Sequence, residues 1–334
     1  MQCVKLFEPG GPEALQLTEV ATPEAERGRV QVRVAAAGVN PIDAKQRQRG
    51  PLFPGGTLPA ILGCDGAGTV TAAGDGVDAV AVGQRVLFFN GGIGLEPGNY
   101  AEYTSVDARY VVPIPDSVDC NTAAAMPLAA LTAWEGLFDR GRLQRGESVL
   151  IHAGAGGVGH IAIQLAREAG AEVLTTVSDD TKAQFVRDLG AAHVIRYRDE
   201  DFVAAVLAHT GGRGVDLVLD TVGGAVCTRS LHALATYGRL VTILALPEEM
   251  DWPHARLHNL TVAQELMVTP MALGDDAGRR QQTAILSECA SRLADGRLRV
   301  HVAETFPLEG VAEAHRRIES GGVMGKLVLA AGSG

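Results

Sequence analysis

Apolar residues along this chain change their rhythm twice. Over roughly the first 120 residues they come in short runs broken by glycine and proline, and Val30-Gln31-Val32-Arg33-Val34 alternates with the period of a half-buried strand. Residues 66–70 and 83–88 predict further strands after turns. From 122 to 137 the pattern turns helical, rich in Ala and Leu, with Asn121 or Thr122 placed to cap it. Strand patterns at 149–153, 172–177, 193–195, 215–220 and 239–244 then alternate with helical ones at 160–168, 181–189, 202–209 and 225–234. Such alternation predicts a parallel, doubly wound sheet. The last section reads as a strand at 297–301, an amphipathic helix at 310–320 and a strand at 325–329. No internal repeat or low-complexity tract interrupts it.

The run Gly154-Ala155-Gly156-Gly157-Val158-Gly159 sits between the first strand of the alternating region and its first helix. Gly154, Gly156 and Gly159 fill the three glycine slots of a dinucleotide-binding turn. The first allows the tight turn, the second lets backbone approach a pyrophosphate, and the third lets helix and strand pack closely. The motif alone is weak evidence. The apolar helix at 161–166 and the strand at 172–177 supply the context it requires.

Composition narrows the classes. The 334 residues are enough for about two domains. A net charge of −10 without a basic block argues against a nucleic-acid surface. Cys3, Cys64, Cys120, Cys227 and Cys289 are scattered, which fits a reducing compartment and excludes a four-cysteine zinc lobe. The start of the chain lacks a signal-peptide core, and no apolar run reaches membrane-spanning length. A soluble cytoplasmic protein is expected.

Several ordered segments carry a family resemblance: Ala36-Ala37-Gly38-Val39-Asn40-Pro41-Ile42-Asp43-Ala44-Lys45, Leu62-Gly63-Cys64-Asp65-Gly66, Asn99-Tyr100-Ala101-Glu102-Tyr103, Leu131-Thr132-Ala133-Trp134, the glycine loop, Asp220-Thr221-Val222-Gly223-Gly224 and Met324-Gly325-Lys326-Leu327-Val328. With these the chain resembles the zinc-free quinone oxidoreductase (zeta-crystallin-like) branch of the medium-chain dehydrogenase/reductase superfamily. The resemblance implies an α/β architecture. A GroES-like β-rich catalytic domain would be built from residues 1–124 and 266–334, around a Rossmann NADPH-binding domain at 125–265 with a cofactor cleft. It implies cofactor contacts at Asn40, Thr132, Gly154, Gly156, Gly157, Val158, Gly159, Ser178, Lys182, Tyr197, Val222, Leu244 and Lys326. A homodimer or homotetramer is expected by the same analogy. Its expected seam is the edge of the doubly wound sheet at 239–244, where Val, Ile and Leu follow Gly238.

Zinc-dependent relatives carry a cysteine, a His-Glu pair and a second cysteine. Here those slots hold Asn40, Cys64-Asp65 and a position near Leu128, so no metal site is expected and Cys64 reads as a buried hydrophobe. Without a Lewis acid the chain is poorly equipped to ionise an alcohol, which favours reduction of an activated acceptor. The slot that selects the cofactor holds Ser178, with Lys182, Tyr197 and Arg198 near it, and this favours NADPH. Asp179-Asp180 either cap the next helix or, if Asp179 turns to the ribose, favour NADH.

Catalysis falls to the loop from Asn40 to Lys45. Asn40 can donate to the acceptor oxygen or to the nicotinamide ribose. Lys45 either stabilises the developing anion or is a solvated loop lysine. Asp43 either orients Lys45 or caps the local turn. Tyr100 and Tyr103 are cleft-lining or packing residues. His152 reads as structural, and Trp134 and Trp252 as core or interface. Met267 and Met271 suggest an adaptable apolar wall, which suits a small apolar quinone or enone. A zinc-type alcohol dehydrogenase and a non-catalytic, crystallin-like or RNA-binding NADPH protein are the competing readings.

Overall fold

Six parallel strands organise the middle of the chain. A computed structural model describes residues 1–331. It separates into two units: Ala129–Met267, and Met1–Leu128 together with the residues from Val268 onward. In the middle unit the strands run His193–Arg196, Glu172–Val177, Ser148–Ile151, Val215–Asp220, Leu234–Thr242, Thr261–Gln264 across the sheet, every pair parallel. Val149, Leu150, Ile151 and Leu217, Val218, Leu219 are all buried, because the connecting helices cover both faces and the central strands need no polar alternation. Strand order reverses beside Ser148–Ile151. The loops leaving that strand and Val215–Asp220 therefore border the switch point where sheets of this kind bind ligands.

The other unit holds two sheets. Gln2–Leu6 pairs with Leu15–Glu19 and Ala60–Ile61. The larger sheet runs Val302–Pro307, Lys326–Ala330, Arg29–Val39, Asp65–Ala73, Arg85–Phe89, Val111–Pro113, with Tyr103–Asp107 also on Arg29–Val39. Its register sets the neighbours of Asn40. Leu327 lies opposite Val39 and Ala67 opposite Ala36, so the first residues of two strands, Lys326 and Asp65, arrive beside the loop that begins at Asn40. The helix Val311–Glu319 packs its apolar face onto the cluster of Val4, Leu6, Leu62 and Leu329. Glu319 pairs with the buried Arg47 of the helix Pro41–Arg49.

Several expectations change. The helix expected at 122–137 is broken into Cys120–Ala125, Pro127–Trp134 and a widened π stretch at Glu135–Arg140. Pro127 has no N–H to continue the first helix. The cap is Asp119, whose carboxylate takes the N–H of Thr122 at 2.9 Å, and neither Asn121 nor Thr122 serves. Residues 297–301 form no strand, because Asp295 turns the chain by accepting from the Arg297 N–H, and pairing starts only at Val302. The strand expected at 239–244 begins at Leu234 and is not an edge: Arg239 to Thr242 pair with Thr261 to Gln264, and that short strand is the edge. Trp252 is half exposed and belongs to no core.

Candidate active site

Asn40 ends the strand Arg29–Val39 and starts the helix Pro41–Arg49. Its backbone N–H donates to Asp43 Oδ2 at 2.9 Å, and the Asp43 N–H donates to the Asn40 carbonyl at 3.0 Å. The Asn40 side chain turns elsewhere. Its Nδ2 donates to Asp65 Oδ2 at 2.9 Å, and its Oδ1 accepts from Lys326 Nζ. Asp65 Oδ1 takes the Leu128 N–H at 2.8 Å, and Lys326 Nζ lies 3.7 Å from Asp65 Oδ2. The positions that carry zinc ligands in metal-dependent relatives thus do converge, and they converge on an ammonium.

These donors do not suit a metal ion. Leu128 contributes only an N–H, and the oxygens of Asn40 and Asp65 already serve Lys326. The Cys64 thiol is pushed far up by burial and then by the charges of Asp43 and Asp65, so it keeps its proton.

Tyr100 was not singled out as a polar partner by its sequence context. It is fully buried, its hydroxyl donates to Asp43 Oδ2 at 2.9 Å, and His315 Nε2 lies 3.4 Å from the same hydroxyl. Gly63 makes room for the ring, since a Cβ there would lie 2.4 Å from Tyr100 Cδ1. Burial raises the Asp43 carboxyl to about 7 against the hydrogen bonds of Asn40 and Tyr100. Burial also lowers the Lys326 amine, opposed by Asp65 and Asp43.

Asp43 does not orient Lys45. Two residues apart on a helix they point about 200° from one another, and Asp43 Oδ2 serves Asn40 and Tyr100 while Oδ1 faces the Cys64 thiol. Lys45 is half-buried, with no hydrogen-bond or ion-pair partner among the described residues.

In the Ala129–Met267 unit the glycine turn divides its labour. A Cβ on Gly154 would lie 2.0 Å from Thr175 Oγ1, and one on Gly159 2.5 Å from the Ala153 carbonyl, so both serve packing. At Gly156 the nearest atom would be 3.2 Å away, and Gly156, Gly157 and Val158 are half exposed ahead of the helix Gly159–Glu168. The Gly156 N–H donates to the Ala153 carbonyl at 2.9 Å, and the bare crest beyond it at the helix start fits a pyrophosphate.

Ser178 and Lys182 are in contact, Nζ to Oγ 2.9 Å. Asp179 caps the helix Asp180–Leu189, its Oδ1 taking the Lys182 N–H at 2.9 Å and its Oδ2 the Ser178 hydroxyl at 2.7 Å. Asp180 instead pairs with Arg196. Tyr197, Arg198 and Val222 line one cavity of about 570 Å³ with Ala153 and Thr176, a size and lining that suit an adenosine. Leu244 packs over Gly223, and Thr132 is buried in the helix Pro127–Trp134. His152 is buried between Thr176 Oγ1 at 3.1 Å and Ser230 Oγ at 2.9 Å, and burial holds it neutral. Met267 and Met271 are both buried, and Met271 Sδ accepts the Gly91 N–H.

Residues 26–116 match the GroES-like domain of alcohol dehydrogenases, and 189–329 match the zinc-binding dehydrogenase family. The chain is 36% identical, over 98% of its length, to a phenolphthiocerol/phthiocerol polyketide synthase of Mycobacterium tuberculosis, of which it spans 14%. It is 33% identical to the 2-haloacrylate reductase of Burkholderia sp, over 97% of both. The crystal structure of Escherichia coli quinone oxidoreductase complexed with NADPH superposes with a TM-score of 0.87 at 31% identity, covering 99% of this chain and 100% of that one.

Burial, with the Arg47 guanidinium near it, pushes the His315 imidazole down from 6.5 to about 3. An unfolded chain therefore takes up a proton below pH 6.5 that the folded chain refuses. The stability tied to neutral His315 is complete above 6.5 and is lost as pH falls toward 3. In His315→Phe the ring still meets Tyr100 edge-on and the tyrosine keeps Asp43. Relative to wild type, that variant should gain about 1.4 kcal/mol of stability per pH unit descended through this window. Urea unfolding at pH 7.5, 6 and 5 measures the difference, and parallel acid limbs would refute it.

Proposed function

The chain belongs to the medium-chain dehydrogenase/reductase family, in its quinone oxidoreductase branch, and from that premise we propose that it reduces a small apolar quinone or α,β-unsaturated carbonyl with NADPH and without a catalytic metal. The place of Lys326 carries the reading. An ammonium held by Asn40 Oδ1 and Asp65 supplies the positive charge that metal-dependent relatives obtain from an ion, but it is buried and immobile. Such a site suits an acceptor that is already electrophilic. A relative that reduces a 2-haloacrylate supports an activated alkene as substrate.

Bound NADPH supplies the hydride. Gly156, Gly157 and Val158 hold its pyrophosphate, on a turn whose close packing Gly154 and Gly159 allow. Ser178 and Lys182, with Tyr197 and Arg198, take the phosphorylated ribose, while Val222 and Leu244 border the nucleoside. Thr132 and Asn40 place the nicotinamide end. Asp43, Asp65, Tyr100 and Lys326 are positioning residues that fix the Asn40 amide. Lys45, an ammonium without a partner among the described residues, is the donor to the acceptor oxygen and returns a proton to it.

A cytoplasmic homodimer or homotetramer completes the reading. The edge Thr261–Gln264, with its row of unpaired backbone groups, is the seam. All five cysteines are free thiols. No helix among the described residues is long and apolar enough to cross a membrane.

Lys182→Ala should weaken NADPH by about 1–2 kcal/mol, one charge-assisted contact, and leave NADH nearly unchanged. A higher kcat/KM for NADH in the wild type would make Asp179 the discriminator. Chelator-stripped protein should retain full turnover, and activity restored only by added zinc would overturn the metal-free mechanism. Lys45→Met should lower kcat about tenfold to a thousandfold while NADPH affinity holds. The loss should be larger for enones than for quinones, because hydroquinone oxygens can take protons from water. Wild-type rates with both substrate classes would reduce Lys45 to a surface residue.

A further inference from the structure

Outside the catalytic machinery, three imidazoles and a carboxylate gather on the Ala129–Met267 unit. His232 lies in the short turn Leu231–Ala233, which leads into the strand Leu234–Thr242. Asp251 caps the helix Trp252–Leu257, its Oδ1 taking the His254 N–H at 3.0 Å. That bond aims the second oxygen outward, 3.2 Å from His232 Nε2. The rings of His232 and His254 lie 4.0 Å apart, and those of His254 and His258 4.2 Å apart. One donor atom each from His232, Asp251 and His254 falls within 4.8 Å of the others.

We propose that His232, Asp251 and His254 form a binding site for a borderline divalent transition-metal ion such as zinc, nickel or copper, with its remaining coordination positions open to water. Two imidazoles and one carboxylate are the donor set these ions prefer, whereas calcium and magnesium favour oxygen alone. Tetrahedral ligands about 2.0–2.1 Å from zinc lie a little over 3 Å apart. The His232–Asp251 pair already has that spacing, and His254, within 4.8 Å of both, must close by at most about 1.5 Å.

The side chains of His232 and Asp251 are 43% and 38% exposed, so an ion has a way in from solvent. Asp251 is also pinned by the helix it caps, which preorganises one ligand. An ion here would staple the turn before Leu234–Thr242 to the helix that comes after it. None of the site's residues belongs to the Asn40 cluster.

The test uses the whole chain, stripped with chelator and dialysed against zinc, then nickel. One ion per chain should bind saturably, and bound cobalt should show the visible absorption of a mixed nitrogen and oxygen site. Asp251→Asn keeps a capping oxygen and so keeps the helix. Together with His232→Ala it should weaken binding at least about tenfold, with circular dichroism and turnover unchanged. No saturable uptake at millimolar ion, or equal affinity in both variants and the wild type, would overturn the site.

Discussion

Two carboxylates and one ammonium lie buried together in the β-rich unit, and the arrangement of that unit reflects the need to satisfy them. Asp43 and Asp65 are at most 1% exposed and Lys326 is 4% exposed. Any one of them, left alone in such an interior, would cost several kcal/mol. They are reconciled because the last strand returns to lie beside the third. With Leu327 opposite Val39, Lys326 reaches both Asn40 and Asp65. A slip of one residue would carry the lysine to the other face of the sheet and leave two carboxylates facing each other. The same burial that makes the cluster demanding makes it rigid, because its partners are shared across several elements. Asp43 shows this: one of its oxygens serves both the Asn40 N–H and the Tyr100 hydroxyl, tying the helix start to the loop at residue 100.

The doubly wound unit solves a different problem, the holding of an exposed polar turn on a hydrophobic sheet. Ala153 adopts a left-handed conformation, with φ of 49°, just before the glycines. Strain of this kind persists only where the surroundings fix it. They do so through hydroxyls: Thr176 Oγ1 accepts the Ala153 N–H, Thr221 Oγ1 donates to the His152 carbonyl, and His152 itself spans Thr176 and Ser230. A buried neutral imidazole between two hydroxyls can donate at one nitrogen and accept at the other, whereas a charged one would have to donate at both. The glycine crest is thus held from below, by hydroxyls and a neutral imidazole.

Much of this was legible in the sequence where a pattern repeats over many residues. The strand and helix rhythm from 149 onward marked the parallel sheet, and the helix Phe202–His209 falls where its apolar period put it. Asp179 could be read as a cap because capping is local. What failed had distant or competing causes. Pro127 divides a stretch whose composition is uniformly helical. The short edge strand Thr261–Gln264 carries too few residues for a period to register. The pairing of Asp43 with Lys45 rested on their nearness in sequence, yet helix geometry turns the two side chains apart. The lysine that does reach Asn40 lies 286 residues on. Its one local sign is its position at the head of the apolar run Lys326-Leu327-Val328-Leu329, where a charged residue facing the core needs a partner.

Cations are handled in opposite ways at the two clusters, and the difference arises from what surrounds each. Around Asn40 the chain brings its own positive charge, and every oxygen that could ligate an ion is already accepting a hydrogen bond from the chain. Around His254 the donors are imidazole lone pairs and the Asp251 carboxylate. Two charged rings there would stand about 4 Å apart. The first cluster gains from being closed, since water would loosen the ion pair that fixes the Asn40 amide. The second is coherent only when open, since its unfilled demand is for a cation that arrives from solvent.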